Sequence, residues 1–350
     1  MKKILILGGT GAIGTHLKDF LVGRQFDVYI TSRRMCGKSN GLTYIKGNAH
    51  NIDFLKQLHT QSWDCVVDMM VYSFSEFKKL LQTLLLLGKQ YIFISSARVF
   101  APSEGCLTES SILLKDWVED DKFIKSEEYA ISKAMSEDLL KDNADHNITI
   151  VRPYITYSED RLQLGTYEKE IWLYRALHNK PIVFPEELLN VKTTLTYGKD
   201  VAQGIFNLVC NESAYNEIFN ITTNENITWG EVIEIYVDCI FMETGILPKI
   251  VFTRKDMSLK TYQSRYDRQI NRIFDNSKIL TVSPLLSFTP IKDGLASCIH
   301  EFVSHPHYLR ISPATQGVHD RMTDSFTRLN EFNSNIDKLK YLIARFLPII

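Results

Sequence analysis

The chain has 350 residues, 45% of them hydrophobic, and a formal net charge of −1 at pH 7. That is enough apolar content for a large core in one or two domains, and without a basic run interleaved with aromatics no nucleic-acid partner is expected. No window approaches the roughly eighteen apolar residues of a membrane span, and Lys2 and Lys3 precede only a short apolar run, so neither a span nor a secretory signal is expected; the six cysteines lack metal or redox spacing, which points to reduced thiols in the cytoplasm.

The opening residues read MKKILILGGTGAIG. Ile4, Leu5, Ile6 and Leu7 form the continuous apolar run of a strand buried on both faces of a parallel sheet. A helical pattern (Leu17, Phe20, Leu21) begins after glycines at 8, 11 and 14. Gly8 permits a tight turn, Gly11 lets a pyrophosphate approach the backbone, and Gly14 lets helix and strand pack closely, with the anion at the positive helix N-terminus. A purely structural glycine turn is the competing reading; the strand before and the helix after favour a dinucleotide loop.

Apolar runs at 3–7, 27–31, 42–45, 64–68, 90–95 and 147–151 alternate with helical patterns at 12–22, 53–59, 75–87 and 126–141. The alternation predicts an α/β fold, a doubly wound parallel sheet of the Rossmann type, with ligands at the carboxyl ends of its strands. The second run ends in Thr31-Ser32-Arg33-Arg34. Ser32 occupies the slot about 20 residues after the glycines where NAD-preferring folds carry an acid. A hydroxyl followed by two guanidiniums suits a 2′-phosphate, so NADP(H) is favoured, with NAD(H) the alternative. Solvated loop charges are the plainer reading of the two arginines. After the third run, Asn48 and Ala49 stand where an adenine would be met.

The fifth run leads into Ser95-Ser96-Ala97-Arg98, hydroxyls suited to a substrate oxygen or to a simple strand-end cap. Further on, Tyr129 and Lys133 lie four apart on a predicted helix and so share a face. A free phenol titrates near pH 10; an adjacent ammonium favours the phenolate and brings proton exchange toward neutrality. Either pair alone reads as ordinary surface chemistry. Together with the glycine loop, in this order, they read as a catalytic set.

The glycine loop, Ser95-Ser96-Ala97, Tyr129–Lys133 and Val151-Arg152-Pro153 resemble the extended short-chain dehydrogenase/reductases, and within them the NAD-dependent epimerase/dehydratase group that acts on nucleotide sugars. The resemblance runs from Met1 to about Phe302. It implies that Tyr129 is the acid/base, that Lys133 binds the nicotinamide ribose and tunes the tyrosine, and that Ser96 hydrogen-bonds the reacting sugar oxygen. The implied cofactor shell is Gly8, Thr10, Gly11, Ile13, Gly14, Ser32, Arg33, Arg34, Asn48, Ala49, Met70, Tyr129, Lys133 and Pro153. Sugar 4,6-dehydratases carry Asp-Glu directly after the catalytic hydroxyl; Ala97 and Arg98 stand there instead, so dehydration is not expected. The resemblance also implies a homodimer, through helices near 75–87 and 126–141.

The first domain is expected to span 1–155 with a return segment at 193–222. A smaller α/β substrate domain would take 156–192 and 223–304, with helices near 167–178 and 229–241. Ser96, Arg98, Arg265 and Arg268 are the candidate substrate ligands, the last two from a charged stretch that relatives use to clamp a nucleotide diphosphate; an ordinary solvated helix face is the alternative. His305-Pro306-His307 lacks a third ligand at useful spacing, so no metal site is expected. Residues 305–350 read as a helical extension whose apolar stripe (Ile336, Leu339, Leu342, Ile343, Phe346) docks on protein, on a second subunit, or on an anionic membrane surface. The expected activity is reduction by NADPH of a nucleoside-diphosphate 4-keto-deoxysugar. A nucleotide-sugar 4-epimerase and a non-catalytic, cofactor-binding or RNA-associated scaffold are the alternatives.

Overall fold

A computed structural model describes all residues except 25, 255–259 and 348–350. The chain divides into two compact units, the first made of Met1–Ser158, Thr194–Asn226 and Arg272–Ile291, the second of the remaining segments.

In chain order the first unit opens β1 (Lys3–Leu7), α1 (Gly14–Gly23), β2 (Asp27–Ser32), β3 (Gly37–Ser39), β4 (Leu42–Lys46), α2 (Ile52–Leu58), β5 (Cys65–Asp68), α3 (Phe74–Leu85) and β6 (Tyr91–Ile94). A single 3-10 turn (Ala97–Val99) and the short helices α4 (Leu114–Trp117) and α5 (Asp121–Lys125) precede α6 (Tyr129–Lys141) and β7 (Ile148–Pro153). There follow β8 (Thr156–Tyr157), α7 (Trp172–Leu177), β9 (Ile182–Pro185), β10 (Lys192–Thr193), β11 (Thr196–Tyr197), α8 (Gly198–Leu208), β12 (Glu217–Ile221), β13 (Ile227–Thr228), α9 (Trp229–Thr244) and β14 (Ile250–Thr253). The last helices are α10 (Ser277–Val282), α11 (Ile291–Ser304), α12 (Pro313–Met322) and α13 (Asn335–Phe346).

The sheet of the first unit has eight strands in the order β12-β7-β6-β5-β1-β2-β4-β3, parallel throughout except for the edge strand β3. Alternate residues of β1 supply its two faces: Ile4 and Ile6 pack with Leu17, Val28 and Ile205, while Leu5 and Leu7 pack with Trp63, Phe77 and Leu84. Strand order reverses at β1, whose neighbours are β2 and β5, so the crevice for a ligand opens past Leu7, Ser32 and Asp68.

Several boundaries differ from the sequence expectation for local reasons. α1 starts at Gly14 rather than residue 12 because the glycine loop occupies the intervening backbone. The helical pattern expected from 126 starts at Tyr129: Glu127 adopts φ +50°, and the Glu128 carboxylate accepts from Ala130 N at 2.7 Å as the N-cap. Arg272–Ile291, expected in the substrate domain, belongs to the first unit, where Asn276 Nδ2 donates to the Thr222 carbonyl at 2.9 Å.

The second unit holds a parallel β9–β14 pair and an antiparallel β10–β13 pair. α9 opens on a capping box, Thr228 Oγ1 accepting from Glu231 N and Glu231 Oε2 accepting from Thr228 N. The tail expected as a separate extension clusters with this unit. Arg175, fully buried in α7, donates to Gln316 Oε1 at 2.7 Å and to Asp320 Oδ1 at 2.8 Å in α12, and Asp320 in turn accepts from Tyr341 OH at 2.8 Å. Burial lowers the affinity of the Arg175 guanidinium for its proton, and the Asp320 pairing opposes this.

Candidate active site

The glycine loop joins β1 to α1. Gly8 has φ +77°, and a Cβ there would stand 2.7 Å from the Met70 sulfur, so both backbone and space require glycine. A Cβ on Gly14 would lie 2.6 Å from the Gly9 backbone. At Gly11 nothing lies within 4 Å of the same position. No side chain caps α1 at Ile13. An open approach over Gly11 to an uncapped helix N-terminus fits a dinucleotide pyrophosphate.

At the end of β2, Ser32 Oγ accepts from Arg34 N (3.2 Å) and Met35 N (3.0 Å), which folds the exposed Arg33-Arg34 turn back on the strand. Asn48 is exposed with its side chain accepting from His50 N at 3.2 Å, and Ala49 is buried beneath it. Thr10 is exposed in the loop, and Pro153 closes β7, buried.

Lys133 is 3% exposed. Its ammonium donates to the carbonyls of Ile94 (2.7 Å) and Met70 (3.1 Å) and stands 4.2 Å from the centre of the Phe93 ring. It therefore ties together the carboxyl ends of β5 and β6, one helical turn from the half-buried Tyr129. Burial pulls its pKa down to about 8, and the charges of Asp68 and Glu137 oppose that fall. Asp68, fully buried, accepts from Tyr91 OH (2.6 Å) and Met70 N (2.9 Å); burial nonetheless holds its carboxyl above the usual range.

The two serines have different duties. Ser95 Oγ donates to Glu137 Oε1 at 2.5 Å. Ser96 Oγ accepts from Arg98 N at 3.2 Å at the head of the 3-10 turn, which leaves its own proton to donate. Arg98 turns over the Tyr129 ring, 5.3 Å from its centroid, and pairs with Glu128 at 2.6 Å. Behind this layer the buried Glu137 and Arg152 form a bidentate pair, Nε–Oε1 3.0 Å and Nη2–Oε2 2.5 Å. In the second unit Arg265 is exposed, whereas Arg268 is 3% exposed, donates to Gly165 O at 3.0 Å and pairs with Asp267.

The sequence profile of the NAD dependent epimerase/dehydratase family matches residues 4–222, well over half of the chain. The chain belongs to that family. It is an enzyme family of the extended short-chain dehydrogenase/reductase type, as the motifs imply. A curated relative, the chloroplast stem-loop binding protein of 41 kDa b from Arabidopsis thaliana, is 30% identical over 245 residues, which cover 65% of this chain. The matched region spans 60% of that relative's length.

Family members of known structure share the fold at low identity. The epimerase Mth375 from Methanothermobacter thermautotrophicus gives a TM-score of 0.69 at 15% identity, covering 87% of this chain and 92% of that one. The Bordetella bronchiseptica enzyme WbmH, solved with NAD+, gives 0.67 at 15%, covering 88% and 100%. UDP-glucuronic acid 4-epimerase from Bacillus cereus, solved with UDP-glucuronic acid and NAD, gives 0.64 at 17%, covering 87% and 100%. Among the described residues no helix is long and apolar enough to cross a membrane.

The sequence reading of this family site missed Asp68, Glu128 and Glu137. Asp68 had a signal, a carboxylate ending the apolar run Cys65–Val67. Glu137 had one too, lying one turn beyond Lys133 on the same helix face.

Proposed function

We propose that the chain is an NADP(H)-dependent reductase of a nucleoside-diphosphate 4-keto-deoxysugar. The observation carrying this reading is the buried ammonium of Lys133, bridging Ile94 and Met70 beside the glycine loop and one turn from Tyr129. Gly8, Gly11 and Gly14 would hold the pyrophosphate, Arg33 and Arg34 the 2′-phosphate, and Lys133 the nicotinamide ribose. A bound nicotinamide supplies the hydride. Ser96 donates a hydrogen bond to the substrate carbonyl, and Tyr129 gives its phenolic proton to the oxygen as the alkoxide forms. Lys133 stabilises the phenolate left behind. Ala97 and Arg98, standing where a dehydratase has its carboxylates, support reduction over elimination.

A 4-epimerase would use the same Ser96, Tyr129 and Lys133 with NAD; the NAD-bound 4-epimerase among the structural neighbours supports that second reading. Stem-loop binding, named for the Arabidopsis relative, needs no lysine buried at such cost, and the net charge of −1 gives RNA little attraction.

The test is incubation with a panel of UDP-, dTDP- and GDP-linked sugars and 4-keto-6-deoxysugars, following NADPH absorbance and sugar products. Stoichiometric NADPH loss with a keto-sugar is expected. Sugar interconversion without NADPH loss selects the epimerase, and no turnover of any member rejects both.

A further inference from the structure

Tyr129 has two cations of different kinds near it. Lys133 lies one turn along the same helix, buried, with its ammonium engaged by the Ile94 and Met70 carbonyls. From the 3-10 turn after β6, the Arg98 guanidinium stands over the phenol ring, 5.3 Å from its centroid. Burial brings the Lys133 amine down to about 8, so its charge is lost as pH passes through that value. A guanidinium keeps its charge throughout.

The arginine is held at both ends. Ser96 Oγ accepts from Arg98 N at 3.2 Å, which fixes the backbone, and Arg98 Nη2 donates to Glu128 Oε1 at 2.6 Å. Glu128 is itself fixed as the N-cap of α6, its other oxygen accepting from Ala130 N at 2.7 Å. Glu127, at φ +50°, anchors the same helix start on α3: its carboxylate accepts from Ser75 N at 3.2 Å, and its carbonyl accepts from Ser132 Oγ at 2.7 Å. These bonds place Tyr129 without help from the arginine. Only 13% of the Arg98 side chain and 18% of the Glu128 side chain are exposed, so solvent screens neither charge fully.

The other charges on the elements packed here act elsewhere. Asp68, at the end of β5, and Glu137 act on Lys133. Lys115 of α4 pairs with Asp138 at 3.0 Å, and Lys79 of α3 acts on Glu127. A cation over the face of a phenol gains attraction when the ring becomes a phenolate. A carboxylate paired with that cation takes part of the gain away, so Arg98 and Glu128 act on Tyr129 with opposite sign.

We propose that Arg98 is a positioning residue for the reaction, its guanidinium favouring the phenolate of Tyr129 and Glu128 moderating that influence. This rests on the reading of Tyr129 as proton donor: the phenolate left after donation is the state the guanidinium stabilises. The test is a pH titration of phenolate absorbance, read as the difference between each protein and its Tyr129→Phe counterpart, which isolates one ring among the 16 tyrosines. Arg98→Met keeps the bulk and removes the charge, and the Tyr129 midpoint should rise by about one pH unit, a tenfold gain in proton affinity. Arg98→Lys should reverse most of that rise. Glu128→Gln keeps an acceptor for Ala130 N but removes the counter-charge, and the midpoint should fall. A merely structural role would move both midpoints the same way or neither, and either result overturns the proposal. Should Arg98→Met fail to fold, judged by thermal unfolding, Glu128→Gln decides alone, and a midpoint that does not fall overturns the proposal.

Keto-sugar reduction, measured separately on the same proteins, keeps this inference apart from the reductase reading. The alkaline fall in kcat should follow the titration midpoint in each variant. Opposite shifts in a protein that turns over no keto-sugar uphold the action on Tyr129 and remove only the reductase. NADPH-dependent turnover with a midpoint indifferent to both substitutions overturns the proposal and leaves the reductase standing.

Discussion

Lys133 Nζ donates to the Ile94 carbonyl at 2.7 Å while burial pulls its pKa down to about 8. In the unfolded chain the same amine titrates near 10.4. Between those values the unfolded state holds the extra proton, so native stability rises as pH climbs through that window. Wild type should therefore gain about 2 kcal/mol relative to Lys133→Met between pH 7 and pH 9.5. Urea unfolding of both proteins at the two pH values measures this. A constant difference would mean that the lysine is not held out of water as described.

The three glycines should respond differently to the same added methyl. Gly14→Ala drives a Cβ into the Gly9 backbone and Gly8→Ala strains a left-handed residue against Met70, so each should cost about 1–3 kcal/mol of stability. Gly11→Ala has open space, so its stability should stay within about 0.5 kcal/mol of wild type. Its methyl instead occupies the approach to a pyrophosphate, and NADPH affinity should fall about tenfold, a loss of roughly 1.4 kcal/mol. Thermal unfolding and calorimetric titration separate the two effects. Unfolding of Gly11→Ala comparable to Gly14→Ala would remove the pyrophosphate reading.

The parts legible in the sequence were those fixed by neighbours along the chain. β1 falls at the bounds its apolar run indicates, because a strand buried on both faces shows no other pattern. Tyr129 and Lys133 were readable because helical spacing alone puts them on one face. The β9–β14 pairing was not, since it joins segments nearly seventy residues apart. α11 also went unread, and α12, which falls in the stretch read only as a helical extension, is held by the buried Arg175 reaching Gln316 and Asp320. Arg98 is a candidate substrate ligand from its place after Ser96; its position over the Tyr129 ring and its pairing with Glu128 arise only in the fold.

Glu137 is wholly buried and shared between Arg152 and Ser95. Glu137→Gln leaves the Arg152 guanidinium without its counter-charge and should destabilise the protein by about 3–5 kcal/mol. Glu137→Met/Arg152→Met removes both charges and should recover part of that loss, because paired replacement leaves no orphan ion. The comparison is made by urea unfolding. A double variant less stable than the single one would show that the pair stabilises beyond mutual neutralisation.

Arg33 and Arg34 stand exposed on a turn that Ser32 holds by two backbone hydrogen bonds, so removing their side chains should leave the fold intact. Arg33→Ala/Arg34→Ala should weaken NADPH about 10–100-fold, roughly 1.4–2.8 kcal/mol, through loss of charge-assisted bonds to the 2′-phosphate. NADH lacks that phosphate and should bind the variant and wild type alike. The discrimination should also fade at high salt, because the contacts lie in solvent where screening acts. Equal weakening of both cofactors would place the arginines' effect in the loop's shape rather than in phosphate recognition. Tighter binding of NADH than NADPH by the wild type would move the balance from reductase to epimerase.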